Sequence, residues 1–135
     1  MALFEWSDRY SVNIKEIDQE HKKLVDMLNM LFASMKAGHG SEVVGKILTE
    51  MVQYAATHFV TEEKHMIKHG FHGYAEHKAE HEAFVAKAYE LLDRHQQSTA
   101  VISIETGYFL RDWLQTHIMG TDKLYGPYLN EKGVY

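Results

Sequence analysis

The sequence predicts an all-α fold: an up-down-up-down antiparallel four-helix bundle with an extended N-terminal arm. Three observations carry this reading. Apolar residues recur at the 3.6-residue helical period over four separate stretches. The breaks between stretches are short and rich in glycine or polar residues: Gly38-His39-Gly40, then Gly70 with Gly73, then Gln96-Gln97-Ser98. Only the N-terminus alternates like a strand, and no second such run exists to pair with it.

Taken in order, Met1 to Glu16 carries Phe4, Trp6, Tyr10, Val12 and Ile14 without a helical repeat, and reads as an arm whose aromatics pack over the bundle. From Ile17 the helical period takes over, with His21, Leu24, Val25, Leu28, Leu31, Phe32 and Met35 on one face. Asp18 is the expected N-cap of this helix. Ser41 is the expected cap of a second helix, with Val44, Leu48, Met51, Ala55, His58 and Glu62 inward. Gly70 and Gly73 let the chain reverse. A third helix begins near Tyr74 and turns His77, His81, Phe84, Ala88 and Leu91 inward. The fourth begins near Thr99 and runs through Ile102, Phe109, Leu110, Trp113, Leu114, His117 and Ile118, with Pro127 expected past its end. At 1.5 Å per residue, helices of about 20 residues are each roughly 30 Å long.

The bulk numbers set limits. A chain of 135 residues supports one domain, residues 1–135, with a substantial core. A formal charge of −5 with no basic cluster argues against nucleic-acid partners and acidic membranes. The absence of cysteine excludes disulfides, thiolate zinc sites and iron–sulfur clusters. No signal-peptide pattern and no membrane-length apolar run is present, so a cytoplasmic protein without membrane insertion is expected. A monomer is the expected state, because no long apolar stripe remains once four core faces are assigned. Histidine is the unusual entry in the composition, with ten copies.

Those histidines are patterned. His58 with Glu62, and His77 with His81, are each four apart, so each pair forms a clamp on one face of its helix. Imidazole nitrogen and carboxylate oxygen are ligand types that divalent iron, manganese or zinc accept. His21 and His117 interrupt the apolar faces of the first and fourth helices in the same way. For any one inward histidine, a hydrogen-bonded core role is the simpler reading. Six polar residues spread over four core faces favour a common ligand, because burying them unpaired costs several kcal/mol each in the worst case, on the order of 2–7. His65 and His69 return to the face of the second helix about 10 Å further along, and are expected at the bundle end or in solvent, with a surface zinc clamp as the alternative. Glu63 lies one position off the clamp face. His39, His72 and His95 fall at turns or helix ends, where exposure is expected.

Asp122 follows His117 by five, which in a regular α-helix turns it about 140° away. Gly120 between them permits a π-type widening or an early helix end, and either swings the carboxylate back. Taken alone, a solvated aspartate near a helix end is the simpler reading. The ordered set changes that. His21, then His58-x-x-x-Glu62, then His77-x-x-x-His81, then His117-x-x-x-x-Asp122 resembles the ligand signature of the hemerythrin family, nearest its single-domain bacterial members. The fifteen-residue step from Glu62 to His77 agrees, as do Trp113-Leu114-x-x-His117-Ile118, His58-Phe59 and the arm with Trp6.

The resemblance implies a cofactor of two non-haem iron ions with an oxo or hydroxo bridge. Carried over by position, His77, His81 and His117 bind one iron, His21 and His58 the other, and Glu62 and Asp122 bridge them. One coordination position then stays open, on the His21/His58 iron. Leu24, Phe59, Trp113, Leu114 and Ile118 are the expected dioxygen pocket, an apolar lining with no acid to cleave the O–O bond; core packing alone is their bland reading. The expected function is reversible dioxygen binding without catalysis, for storage, transport or delivery to an oxygen-consuming enzyme. Oxygen or redox sensing, a di-iron peroxidase or oxidase, and a structural bundle holding zinc or nothing are the alternatives.

Overall fold

The computed structural model describes residues 4–38, 41–97 and 104–135, and among them every regular element is helical. A 3-10 turn (Asp8–Tyr10) precedes α1 (Lys15–Lys36), α2 (Ser41–Lys68), α3 (Tyr74–Gln97) and α4 (Ile104–Thr116); a five-residue π turn (His117–Thr121) then leads into α5 (Asp122–Glu131). The expected cap at Ser41, the expected exposure of His39 and His95, and the expected fourth-helix start at Thr99 with Ile102 inward lie outside the described residues or side chains.

The arm behaves as its aromatics suggest. Phe4, Tyr10, Val12 and Ile14 are buried, and Asn29 of α1 holds the Phe4 backbone at both ends, accepting from its N–H at 3.0 Å and donating to its carbonyl at 2.8 Å. Asp18 is not the N-cap. The helix begins at Lys15 with extended Ile14 before it, and the Asp18 carboxylate reaches back to accept from the Val12 N–H at 2.9 Å and from the Ser11 hydroxyl. It ties down the arm instead of the helix end.

Along α1 the predicted face is buried from Ile17 through Phe32. Each fully buried leucine there contributes about 1.5–3 kcal/mol relative to exposure. The reversal after α2 uses Gly70 in the left-handed region, φ +66°. Phe71 donates back to the Met66 carbonyl at 2.9 Å, and both side chains pack in one apolar cluster, the hydrogen-bonded C-terminal motif that glycine makes cheap. On α3 the inward residue of the last turns is Leu92, 6% exposed, and Leu91 is only half-buried. Counting four on from Ala88 reaches Leu92, and counting three on reaches Leu91; both border the stripe, and the longer step wins.

The largest departure is at the C-terminus. The chain does not stop being helical before Pro127, which sits inside α5. Proline removes the N–H that would satisfy the Lys123 carbonyl, and this occurs on a turn where Pro127 itself is exposed. The helix survives because its inner face, Tyr125 and Leu129, is fully buried against Val12, Ile14, Ile17, Met66 and Phe71. Two apolar clusters result. The larger holds Leu24, Leu28, Leu48, Phe59, Phe84 and Leu114 among others; the smaller lies under the arm and α5. His21, His58, Glu62, His77, His81, His117 and Asp122 are polar residues buried with these clusters.

Of the described glycines Gly107 on α4 is the most closely packed: a Cβ there would lie 2.4 Å from the Phe32 ring, whereas one at Gly120 would meet nothing within 4 Å. Gly107→Ala is therefore expected to destabilise the fold by about 1–3 kcal/mol through overpacking. Gly120→Ala should be neutral or stabilising by up to about 1 kcal/mol, since alanine favours a helix interior. Denaturant titration of the two variants beside the parent checks both signs.

Candidate metal centre

Seven side chains converge between the apolar clusters. His21 comes from α1, His58 and Glu62 from α2, His77 and His81 from α3, His117 from the π turn and Asp122 from the start of α5. None is more than 2% exposed. The π turn answers the question left by the five-residue step. Widening the helix across His117–Thr121 brings the Asp122 carboxylate to 2.9 Å from the His117 Nε2. Gly120 is not what makes this possible, since its φ is not left-handed and its Cβ position is open.

All five imidazoles present Nε2 to the interior. Asp122 lies 3.0 Å from His21 and 2.9 Å from His77. Glu62 lies 2.9 Å from His58, 3.5 Å from His81 and 3.9 Å from His77. The His81 and His117 Nε2 atoms are 3.1 Å apart. The donor atoms form two compact groups: Glu62, His77, His81, His117 and Asp122, and His21, His58, Glu62 and Asp122, each with its atoms within 4.8 Å of one another. Glu62 and Asp122 belong to both.

Hydrogen bonding among these residues does not satisfy the cluster. Both nitrogens of His21, Nε2 of His58 and His77, Oε1 of Glu62 and both oxygens of Asp122 are buried without a hydrogen-bond partner. Buried polar atoms are nearly always partnered, and so many orphans facing one another is what a cation site looks like before its ions are counted. Neutral nitrogen and anionic oxygen, with no sulfur, match a first-row divalent metal such as iron.

Electrostatics agree. Burial resists a charge on His58, but the Glu62 carboxylate beside it, the hydrogen bond with Glu20 and the Asp122 charge raise its pKa to about 10. Burial likewise opposes a charge on His117, and Asp122, Glu62 and Glu80 raise it to about 9. Burial and the charge of Asp122 push Glu62 upward, yet His58 and His81 hold its carboxyl well below the usual carboxylate range. Asp122, despite burial, is held low by His117, His21 and His77.

The aromatic residues expected near the site are in contact with it. Phe59 stacks on His81 with centroids 3.9 Å apart, and Trp113 on His117 at 4.4 Å. Leu24, Leu114 and Ile118 are buried in the same apolar cluster. Trp6 of the arm comes within 6.5 Å of His21. His65 stands apart at the edge, 3.5 Å from Glu16, His69 is half-buried and His72 exposed.

Four residues were missed in the sequence. The Nδ1 atoms of three clustered histidines face carboxylates: His58 meets Glu20 at 2.7 Å, His81 meets Glu63 at 2.8 Å, and His117 meets Glu80 at 3.3 Å. The fourth is Tyr125, whose buried hydroxyl donates to Glu62. Burial, then the Asp122 and Glu62 charges, push that hydroxyl well above its ordinary pKa. Only Tyr125 had a usable signal, being three residues after Asp122 and so on its face.

Fold and site together define a helical-bundle protein with a buried centre for two metal ions. Residues 12–129 match the family described as the hemerythrin HHE cation binding domain. The bacteriohemerythrin of Methylococcus capsulatus is 38% identical over 96% of this chain and 99% of its own length, and that of Stenotrophomonas maltophilia 36% identical over 93% and 80%. A solved wild-type hemerythrin superimposes with a TM-score of 0.87 at 37% identity, covering 95% of this chain and 98% of that one. The chain belongs to the hemerythrin family, and oxygen binding at a di-iron site is the function that family carries.

Because His58 and His117 hold protons up to about pH 10 and 9 in the metal-free protein, a metal must displace them. Loading ferrous ion near pH 7.5 should release protons, and apparent affinity should climb as pH rises toward those values. A weakly buffered titration with an indicator dye measures this; uptake without acidification would contradict it.

Proposed function

We propose that this chain, working as one hemerythrin-like domain, binds dioxygen reversibly at a di-iron centre and acts as a carrier, for storage or delivery to an oxygen-consuming enzyme. In this reading His77, His81 and His117 would hold one iron, His21 and His58 the other, and Glu62 and Asp122, common to both donor groups, would serve both. The observation that carries it is the pair of donor groups sharing those two carboxylates. A pair of ferrous ions held there supplies the two electrons that reversible dioxygen binding draws on and recovers.

The protein's own contribution is to hold and to exclude. The seven side chains come from α1, α2, α3, the π turn and α5, so the donors are set by the packing of helical elements and not by a loop. Leu24, Phe59, Trp113, Leu114 and Ile118 supply the apolar wall of the ligand pocket, all of them in or packed on one apolar cluster. Such a wall limits water and proton entry, which favours return of dioxygen over its reduction. The acids Glu20, Glu63 and Glu80 are engaged on the outward nitrogens of histidines. That arrangement supports a carrier over a peroxidase or oxidase, which needs an acid at the bound oxygen.

No described helix is long and apolar enough to cross a membrane, in keeping with a cytoplasmic carrier. The exposed large apolar side chains, Met30, Val43, Val60, Ile67, Tyr89 and Leu124 among them, are scattered over several helices, as on a monomer.

Anaerobic reduction followed by oxygen titration tests the proposal. The expected outcome is an absorbance change that appears with oxygen, reverses on its removal and repeats without added reductant, at two irons per chain. Steady consumption of reductant would instead indicate an enzyme. His117→Ala should abolish the oxygenated spectrum and lose bound iron, because the nearest remaining nitrogen, on His81, is already committed to the cluster.

A further inference from the structure

Three carboxylates outside the seven-residue cluster form a pattern. Glu20 of α1 reaches His58 of α2; Glu63 of α2 reaches His81 of α3; Glu80 of α3 reaches His117 of the π turn. In each case the acid comes from a different, earlier helix, and in each case it meets Nδ1 while Nε2 points inward. Glu20 and Glu63 are 20% and 18% exposed, so both are largely shielded from water. Glu80, 46% exposed, is steadied by Thr121, whose hydroxyl lies 2.9 Å and 3.0 Å from its two oxygens. His21 has no counterpart: its Nδ1 is buried and unpartnered.

We propose that Glu20, Glu63 and Glu80 are positioning residues that lock His58, His81 and His117 with the proton on Nδ1 and the lone pair on Nε2. This rests on the di-iron reading above and deepens it. An imidazole whose Nδ1–H is given to a carboxylate is fixed in tautomer and ring angle, and is a stronger donor through Nε2. A stronger donor favours the ferric over the ferrous state. Through those histidines the three acids thus strengthen iron binding and lower the iron's reduction potential, while each also links two separate helical elements.

Glu63 gives the cleanest test, because Glu82 provides a matched control. Both line the same surface groove beside His81, but Glu82 is 69% exposed and pairs with Lys78 at 3.8 Å, not with a histidine. Glu63→Gln keeps the shape and an acceptor oxygen and removes the charge; Glu63→Ala removes both. In iron-loaded protein, Glu63→Gln should raise the reduction potential, and Glu63→Ala should weaken iron retention against a chelator by about 10–100-fold. Glu82→Gln should change neither.

A third readout needs no iron. In metal-free protein with nitrogen-15-labelled histidine, Glu63→Gln should shift the His81 Nδ1 resonance and leave that of His58 in place. Altered His81 resonance with an unaltered potential would sink the metal-tuning role while leaving the hydrogen bond intact. Glu63 variants matching Glu82→Gln in every readout would overturn the proposal outright. A failure of the di-iron reading would show separately, as absence of paired iron in the parent protein.

Discussion

Two carboxylates with no access to water govern this structure. Glu62 and Asp122 are each 0% exposed, and an ionised acid in such a place is costly unless opposite charge comes with it. In the metal-free chain that charge is borne by protons on His58 and His117. In a metal-loaded chain cations would bear it, and the histidines would revert to neutral donors. The apolar clusters on either side keep the local dielectric low, which strengthens every attraction inside and makes an incomplete site expensive.

Helix geometry explains how so few residues build it. The i, i+4 clamps of α2 and α3 each deliver two donors to one level of the bundle, and His21 enters from α1 at the same level. The last donor pair does not obey the α-helical count, and a single π turn supplies the missing rotation. Such turns are uncommon and often mark functional sites; here the turn puts His117 and Asp122 on one side. The arm then closes the structure, with Asp18 fastening it and Val12 and Ile14 beneath it packed against α5.

Much of this was legible in the sequence, for identifiable reasons. Periodicity finds the four core faces, and a polar residue interrupting each face finds His21, His58, His77, His81 and His117. Asp122 lay beyond periodicity, because a regular helix points it elsewhere; only the ordered pattern of all seven drew attention to it. Glu20, Glu63 and Glu80 were not legible, since each pairs with a histidine on another element, and sequence spacing within one helix says nothing about register between two. Helix α5 was missed because Pro127 reads as a terminator, whereas the burial of Tyr125 and Leu129 outweighs one lost hydrogen bond. Leu91 and Leu92 show the residual ambiguity at the end of a stripe, where a step of three and a step of four both border the core.

The proposed centre is one buried cluster whose two donor groups, sharing Glu62 and Asp122, would hold two ions. Anomalous diffraction at the iron edge from crystals of iron-loaded protein addresses this directly. The expected result is two iron peaks, one against His77, His81 and His117 and one against His21 and His58, with Glu62 and Asp122 reaching both. A single peak, or an Asp122 side chain turned away from the metals, would contradict it.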